Sequence, residues 1–181
     1  MKAALLGGLF LVFASAASAH RLDEYLQAVR IAVSTNHIDL SIDLTPGVAI
    51  VDQLLVVIDK DRDGVVSKSE QGVYAHRVMK DIQVALDDKA ETFRIVKTTF
   101  PAIDEMKEGV GVIRIRATAA IEPMAAGNHT LTVTNTHLPA ISVYLVNALV
   151  PKDPAISISK QTRDELQKVY RLEFKVTASP P

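Results

Sequence analysis

The chain has 181 residues, of which 48% are hydrophobic, 23% charged and 5% aromatic, with a formal net charge of -1 and no Cys or Trp. That length suits one ordinary domain, and the balance allows a buried core. Near-neutral charge and scarce aromatic rings argue against a nucleic-acid partner, and the lack of Cys excludes disulfides, thiol catalysis and thiolate metal sites.

The first element is an export signal. Met1-Lys2 supplies a basic start, Ala3 to Ala16 carries no charge, and Ala17-Ser18-Ala19 fits the small-x-small cleavage rule. Residues 1–19 are therefore expected to be removed, leaving a chain that begins at His20. No later apolar run is long enough for a membrane-spanning helix, so a periplasmic or secreted product is expected.

Residues 25–45 predict two strands. Leu26, Ala28, Ile31 and Val33 lie in a β-rich run, and Ile38, Leu40, Ile42 and Leu44 alternate with Asp39, Ser41 and Asp43 around a turn at Thr35-Asn36. A period of two with polar residues between means one dry face and one wet face. Pro46-Gly47 ends the second strand. The apolar run at 48–58 would read as a buried strand in isolation, but the segment after it demands a leading helix.

That segment, Asp59 to Glu70, reads D-K-D-R-D-G-V-V-S-K-S-E. The EF-hand pattern asks for oxygen ligands at loop positions 1, 3, 5, 7, 9 and 12 and glycine at position 6. Asp59, Asp61 and Asp63 fill the first three positions. Gly64 takes the sharp turn, Val65 offers its backbone carbonyl, Ser67 binds directly or through water, and Glu70 can offer both carboxylate oxygens. A hard cation with six to eight oxygens suits this set. The long Glu70 favours Ca²⁺ over Mg²⁺. Val66, at position 8, is expected to pair with another strand or to pack. Ser67 can cap an exit helix over 68–82 with Tyr74, Val78, Met79 and Ile82 on one stripe.

Strands are expected again from residue 83: 84–86 turning at Asp87-Asp88-Lys89 into 92–99, then 110–121, 130–134, 141–150, and 156–158 with 169–176. A short helix or loop is expected at 161–167. The Asp104–Glu108 cluster reads as a solvated loop, and residues 178–181 as a disordered tail. The fold class is α+β: a β-sandwich-like set of antiparallel strands in one domain over 20–177, with the EF-hand inserted at about 48–82.

The run His20-Arg21-Leu22-Asp23-Glu24-Tyr25-Leu26-Gln27-Ala28 resembles the start of exported bacterial EF-hand domain-containing proteins of unknown function. So do Leu44-Thr45-Pro46-Gly47-Val48, the Asp59–Glu70 loop, Phe100-Pro101, and Tyr144-Leu145-Val146-Asn147 with Val150-Pro151. Some proteins of this kind carry a similar region before a membrane domain of the hydrogenase and urease accessory type. No such membrane domain is expected in these residues. The resemblance therefore implies a periplasmic β-rich domain with an inserted EF-hand and supplies no catalytic residue.

The function expected is non-enzymatic: one structural calcium ion and an interaction or accessory role beside a membrane transport or metal-handling system. The alternative is transition-metal handling. Cleavage would expose the amine and imidazole of His20 as a chelate for copper or nickel. His129 and His137, eight residues apart, do not make a zinc signature and read as ordinary surface histidines. No phosphate-binding glycine loop and no G-x-S-x-G or H-E-x-x-H motif is present.

Overall fold

The computed structural model describes residues 23–178. The export signal, its cleavage site and His20 lie outside them, as do residues 179–181 of the expected tail.

In the first hairpin the second strand follows its hydropathy pattern, whereas in the first Gln27 is buried and Leu26 and Ala28 are half-buried. β1 (Tyr25–Ser34) and β2 (His37–Pro46) pair antiparallel in register from Tyr25 opposite Pro46 to Ser34 opposite His37, and alternate residues are buried along both. One turn of 3-10 helix (Val48–Ile50) leads into α1 (Val51–Ile58), which buries Val51, Leu54 and Ile58 on one side. The apolar 48–58 run is thus helical. Its buried positions fall three and four apart, which a helix aligns and a strand does not. After the Asp59–Glu70 loop comes α2 (Lys68–Asp81), which buries Tyr74, Ala75 and Val78. The expected stripe is shifted: Met79 is only partly buried, and Ile82 already belongs to the next strand.

β3 (Ile82–Leu86) turns through Asp87 and Asp88, both at positive φ, into the two-residue β4 (Lys89–Ala90). The chain then leaves for the other sheet as β5 (Arg94–Thr99), so 84–86 and 92–99 are not the two arms of one hairpin. α3 (Ile103–Lys107) replaces the loop expected around Asp104–Glu108. The acids mark the outside of one helical turn, whose Met106 is fully buried. Gly111 permits this packing, because a Cβ there would stand 2.8 Å from the Met106 amide nitrogen. In consequence β6 (Ile113–Ala120) starts later than the apolar run from Val110 suggested.

The remaining strands are β7 (Gly127–Asn135), β8 (Ser142–Ala148), β9 (Ile156–Arg163) and β10 (Val169–Val176). β9 continues through residue 163, where a short helix or loop was expected to begin at 161. The strands form two five-stranded sheets, β5-β6-β2-β1-β8 and β4-β3-β7-β10-β9. Nearly every pairing is antiparallel. The exception is β1 with β8, which run parallel from Tyr25 opposite Ser142 to Ile31 opposite Ala148.

The inner faces of both sheets meet in one core. Ile31, Leu40, Ile42 and Ile115 of the first sheet join Leu131, Val133, Leu172 and Phe174 of the second, with Leu54, Ile58 and Val78 from the helices. Burying each such aliphatic side chain is worth about 1.5–3 kcal/mol against exposure. The architecture is therefore α+β and sandwich-like, with a helix–loop–helix between β2 and β3.

Candidate functional site

The Asp59–Glu70 segment joins α1 to α2, and both ends are anchored. Ile58 and Val66 belong to the core, so the loop leaves from and returns to buried positions. Val66 thus packs; no strand contains it. The Asp59 amide donates to the Leu55 carbonyl and completes the last turn of α1. Gln71 Nε2 donates to the Val66 carbonyl at 2.9 Å.

Inside the loop the aspartates hold a tight turn. Asp59 Oδ2 accepts from the Gly64 amide at 3.2 Å, Asp61 Oδ1 from the Asp63 amide at 3.2 Å, and Asp63 Oδ1 from the Val65 amide at 2.8 Å. Gly64 has φ +82°, a left-handed value that glycine adopts at no steric cost. Oxygen atoms from Asp59, Asp61 and Asp63, one from each, lie within 4.8 Å of one another. Asp61 and Asp63 are exposed, but Asp59 is 7% exposed. Its Oδ1 is buried without a hydrogen-bond partner. A buried carboxylate oxygen left bare is costly, so this atom demands a cation or another donor.

Glu70 takes a different part. Its Oε2 accepts from the Ser67 amide and hydroxyl at 2.9 and 2.8 Å, its Oε1 accepts from the Lys60 amide at 2.5 Å, and its own amide reaches Ser67 Oγ. This reciprocal pair is a capping box that satisfies donors at the start of α2. The Ser67 hydroxyl, then the Ser67 and Lys60 amides, hold the Glu70 carboxyl below its ordinary range. Asp61 is displaced upward. The Asp63 amide pulls its carboxyl down, but desolvation and the nearby Asp63, Glu70 and Asp59 carboxylates outweigh it. Like charges held close disfavour one another's ionised form.

The structure thus brings Asp59, Asp61 and Asp63 together and sets Glu70 across the loop on backbone amides. Ser67 serves as the cap of α2. The Val65 side chain is exposed. The donor set fits a hard divalent cation: three aspartate carboxylates close together, one oxygen of which is buried and unsatisfied.

α2 also carries a feature that local sequence pattern does not reveal. His137 is fully buried, a correction to its reading as a surface residue. Its Nδ1 lies 2.8 Å from Asp81 Oδ2, and its Nε2 lies 3.0 Å from the Tyr74 hydroxyl, which lies 2.8 Å from the Tyr25 hydroxyl. Nearby, Asn135 Nδ2 donates to Gln27 Oε1, while Gln27 Nε2 and the Tyr144 hydroxyl donate to the His137 carbonyl. Burial raises the Tyr25 and Tyr74 hydroxyls above their ordinary values and lowers His137. These residues come from β1, α2, β7, β8 and the β7–β8 connection. Apart from Tyr144 and His137, seven residues apart, the partners are separated by 49 to 110 residues, beyond any spacing rule.

His129 is also mostly buried, with 12% of its side chain exposed. Its ring stacks on Phe174, and its two nitrogens meet Asp87 Oδ2 at 2.6 Å and the Ala125 carbonyl at 2.8 Å. Both partners are acceptors, so the doubly protonated imidazolium satisfies both. No protein-family model, curated protein or solved structure matches this chain.

Proposed function

We propose that the Asp59–Glu70 loop is an EF-hand that binds one calcium ion, and that the ion acts as a structural clip in an exported, non-enzymatic domain. The observation that carries this reading is the bare, buried Asp59 Oδ1 at the base of a three-aspartate cluster. Asp59, Asp61, Asp63 and the Val65 carbonyl supply the loop ligands, Ser67 a further oxygen or a water bridge. Glu70 closes the shell by exchanging its bonds to the Lys60 and Ser67 amides for the cation.

A clip suits the surroundings better than a switch. Both loop ends are tied into the core, and the α2 surface beyond the loop is held by Tyr74 and Asp81. A sensor would need an apolar groove that calcium uncovers. The accessory role, beside a transport or metal-handling system at the membrane, is part of the same reading.

The test is thermal unfolding of the chain from His20 onward, in chelator and with rising Ca²⁺. An extracellular-type affinity of ~0.1–1 mM gives about 0.4–1.4 kcal/mol of stabilisation at ~1 mM Ca²⁺. Identical melting curves in chelator and in several millimolar Ca²⁺ would remove the reading.

A further inference from the structure

The outer face of the first sheet carries an arrangement that costs stability and that the calcium loop does not explain. On β5 and β6, Lys97 stands directly opposite Arg116, and Thr99 opposite Arg114. These four side chains line one cavity of about 90 Å³ that contains no acid. Like charges directly across a strand pair repel.

The carboxylate that could neutralise them is already engaged. Asp43, across from Arg114 on β2, receives Arg116 Nη1 on one oxygen at 2.9 Å and Arg30 Nη2 on the other at 2.6 Å. Among the described residues, the side chains of Lys97 and Arg114 have no hydrogen bond or ion pair. Two cations are thus left facing a small pocket. A third stands beside them, pinned in place by Asp43, with a hydroxyl at the rim.

We propose that Lys97, Arg114, Arg116 and Thr99 form a binding site for a phosphate group. The guanidinium fork of Arg114 matches two phosphate oxygens, Lys97 supplies a point charge, and the Thr99 hydroxyl donates a further bond. The phosphate belongs to an ester with an organic part. Thr99 and Arg114 also border a second cavity of about 330 Å³, which receives that part; its lining includes Phe100, Pro101, Val110 and Val112, and one acid, Glu105, whose carboxylate accepts from the Ala102 amide. A soluble phosphate ester and a phospholipid head group share this chemistry. The site is independent of the calcium reading, since none of its residues belongs to the loop.

The experiment is an amide-resonance titration of the chain from His20 onward with glycerol 3-phosphate and with inorganic phosphate at 0.15 M NaCl. It is paired with co-sedimentation on phosphatidylglycerol and phosphatidylcholine vesicles. The expected result is saturable binding of a phosphate-bearing probe, weakened roughly tenfold or more in Arg114→Gln and in Lys97→Gln. The same variants keep or raise the urea midpoint in phosphate-free buffer, because the repulsion is relieved. Tighter binding of glycerol 3-phosphate than of inorganic phosphate identifies a soluble ester as the source; binding confined to phosphatidylglycerol vesicles identifies a lipid head group; inorganic phosphate bound as tightly as the ester overturns the organic part. The proposal is overturned if no probe binds saturably at this salt concentration, or if both variants bind as the parent does.

Discussion

His137 Nδ1 lies 2.8 Å from Asp81 Oδ2, which ties the β7–β8 connection to the last turn of α2 inside the fold. The direction of the hydrogen bonds follows. Neutral His137 donates from Nδ1 to Asp81 and accepts at Nε2 from Tyr74, whose oxygen then accepts from Tyr25. Protonating Nε2 reverses the His137–Tyr74 bond and leaves one tyrosine proton without an acceptor in that chain. Burial lowers the His137 pKa, with Arg77 adding to the effect and Asp81 opposing it.

A pH dependence follows. The folded form prefers neutral imidazole, so its contribution is complete above the unfolded value of about 6.5 and is lost as pH falls through the lower folded value. Urea unfolding at pH 7.5 and 5.0 should show a fall in stability between them, and His137→Gln should reduce that fall. His137→Ala should cost about 2–4 kcal/mol at pH 7.5, because it leaves Tyr74 and Asp81 short of a partner.

His129 and Asp87 should behave in the opposite sense. Burial lowers the His129 pKa, but the Ala125 carbonyl and Asp87 together raise it above its ordinary value. Asp87 is partly desolvated yet held low by the Thr130 amide and His129. The histidine contribution is complete below about pH 6.5 and is lost as pH rises through the raised folded value. The aspartate contribution is complete above about pH 4 and is lost as pH falls through the lowered one. His129→Gln should therefore destabilise more at pH 5.5 than at pH 8.5. The difference should be about 1 kcal/mol, given the half-exposed carboxylate. Equal losses at the two pH values would contradict this.

Asp59→Asn separates metal binding from folding. The amide oxygen can still accept from Gly64, while the charge is gone. In chelator the variant should be within about 1 kcal/mol of the parent or more stable, since a bare buried oxygen is removed. Its calcium-dependent rise in melting temperature should vanish. A variant that unfolds readily in chelator would assign Asp59 to folding alone.

Gly111→Ala tests the seat of α3. The added Cβ would stand 2.8 Å from the Met106 amide nitrogen and 2.9 Å from its Cα, both backbone atoms of a fully buried residue. A loss of about 1–3 kcal/mol is expected from the urea midpoint. Gly72→Ala is the control: a Cβ there meets nothing within 4 Å, and in a helix it should stabilise slightly.

What the sequence determined by itself was local. Alternation in 37–44 set the faces of β2, Ser67 marked the start of α2, and the D-x-D-x-D-G pattern marked the loop between α1 and α2, because each depends on a period or a tight turn. The tertiary structure alone decided the rest. It sent β5 to the other sheet, made β8 the parallel neighbour of β1, and turned the acidic 104–108 segment into a helical turn over buried Met106. It buried His137 against Tyr74 and Asp81, and it gathered Lys97, Arg114 and Arg116 on one sheet face. These depend on which strand edges meet across long stretches of chain, and single-residue periodicity carries no record of that choice. At the loop the two levels meet: spacing chose the aspartates, and packing around Ile58 and Val66 left one Asp59 oxygen buried and bare.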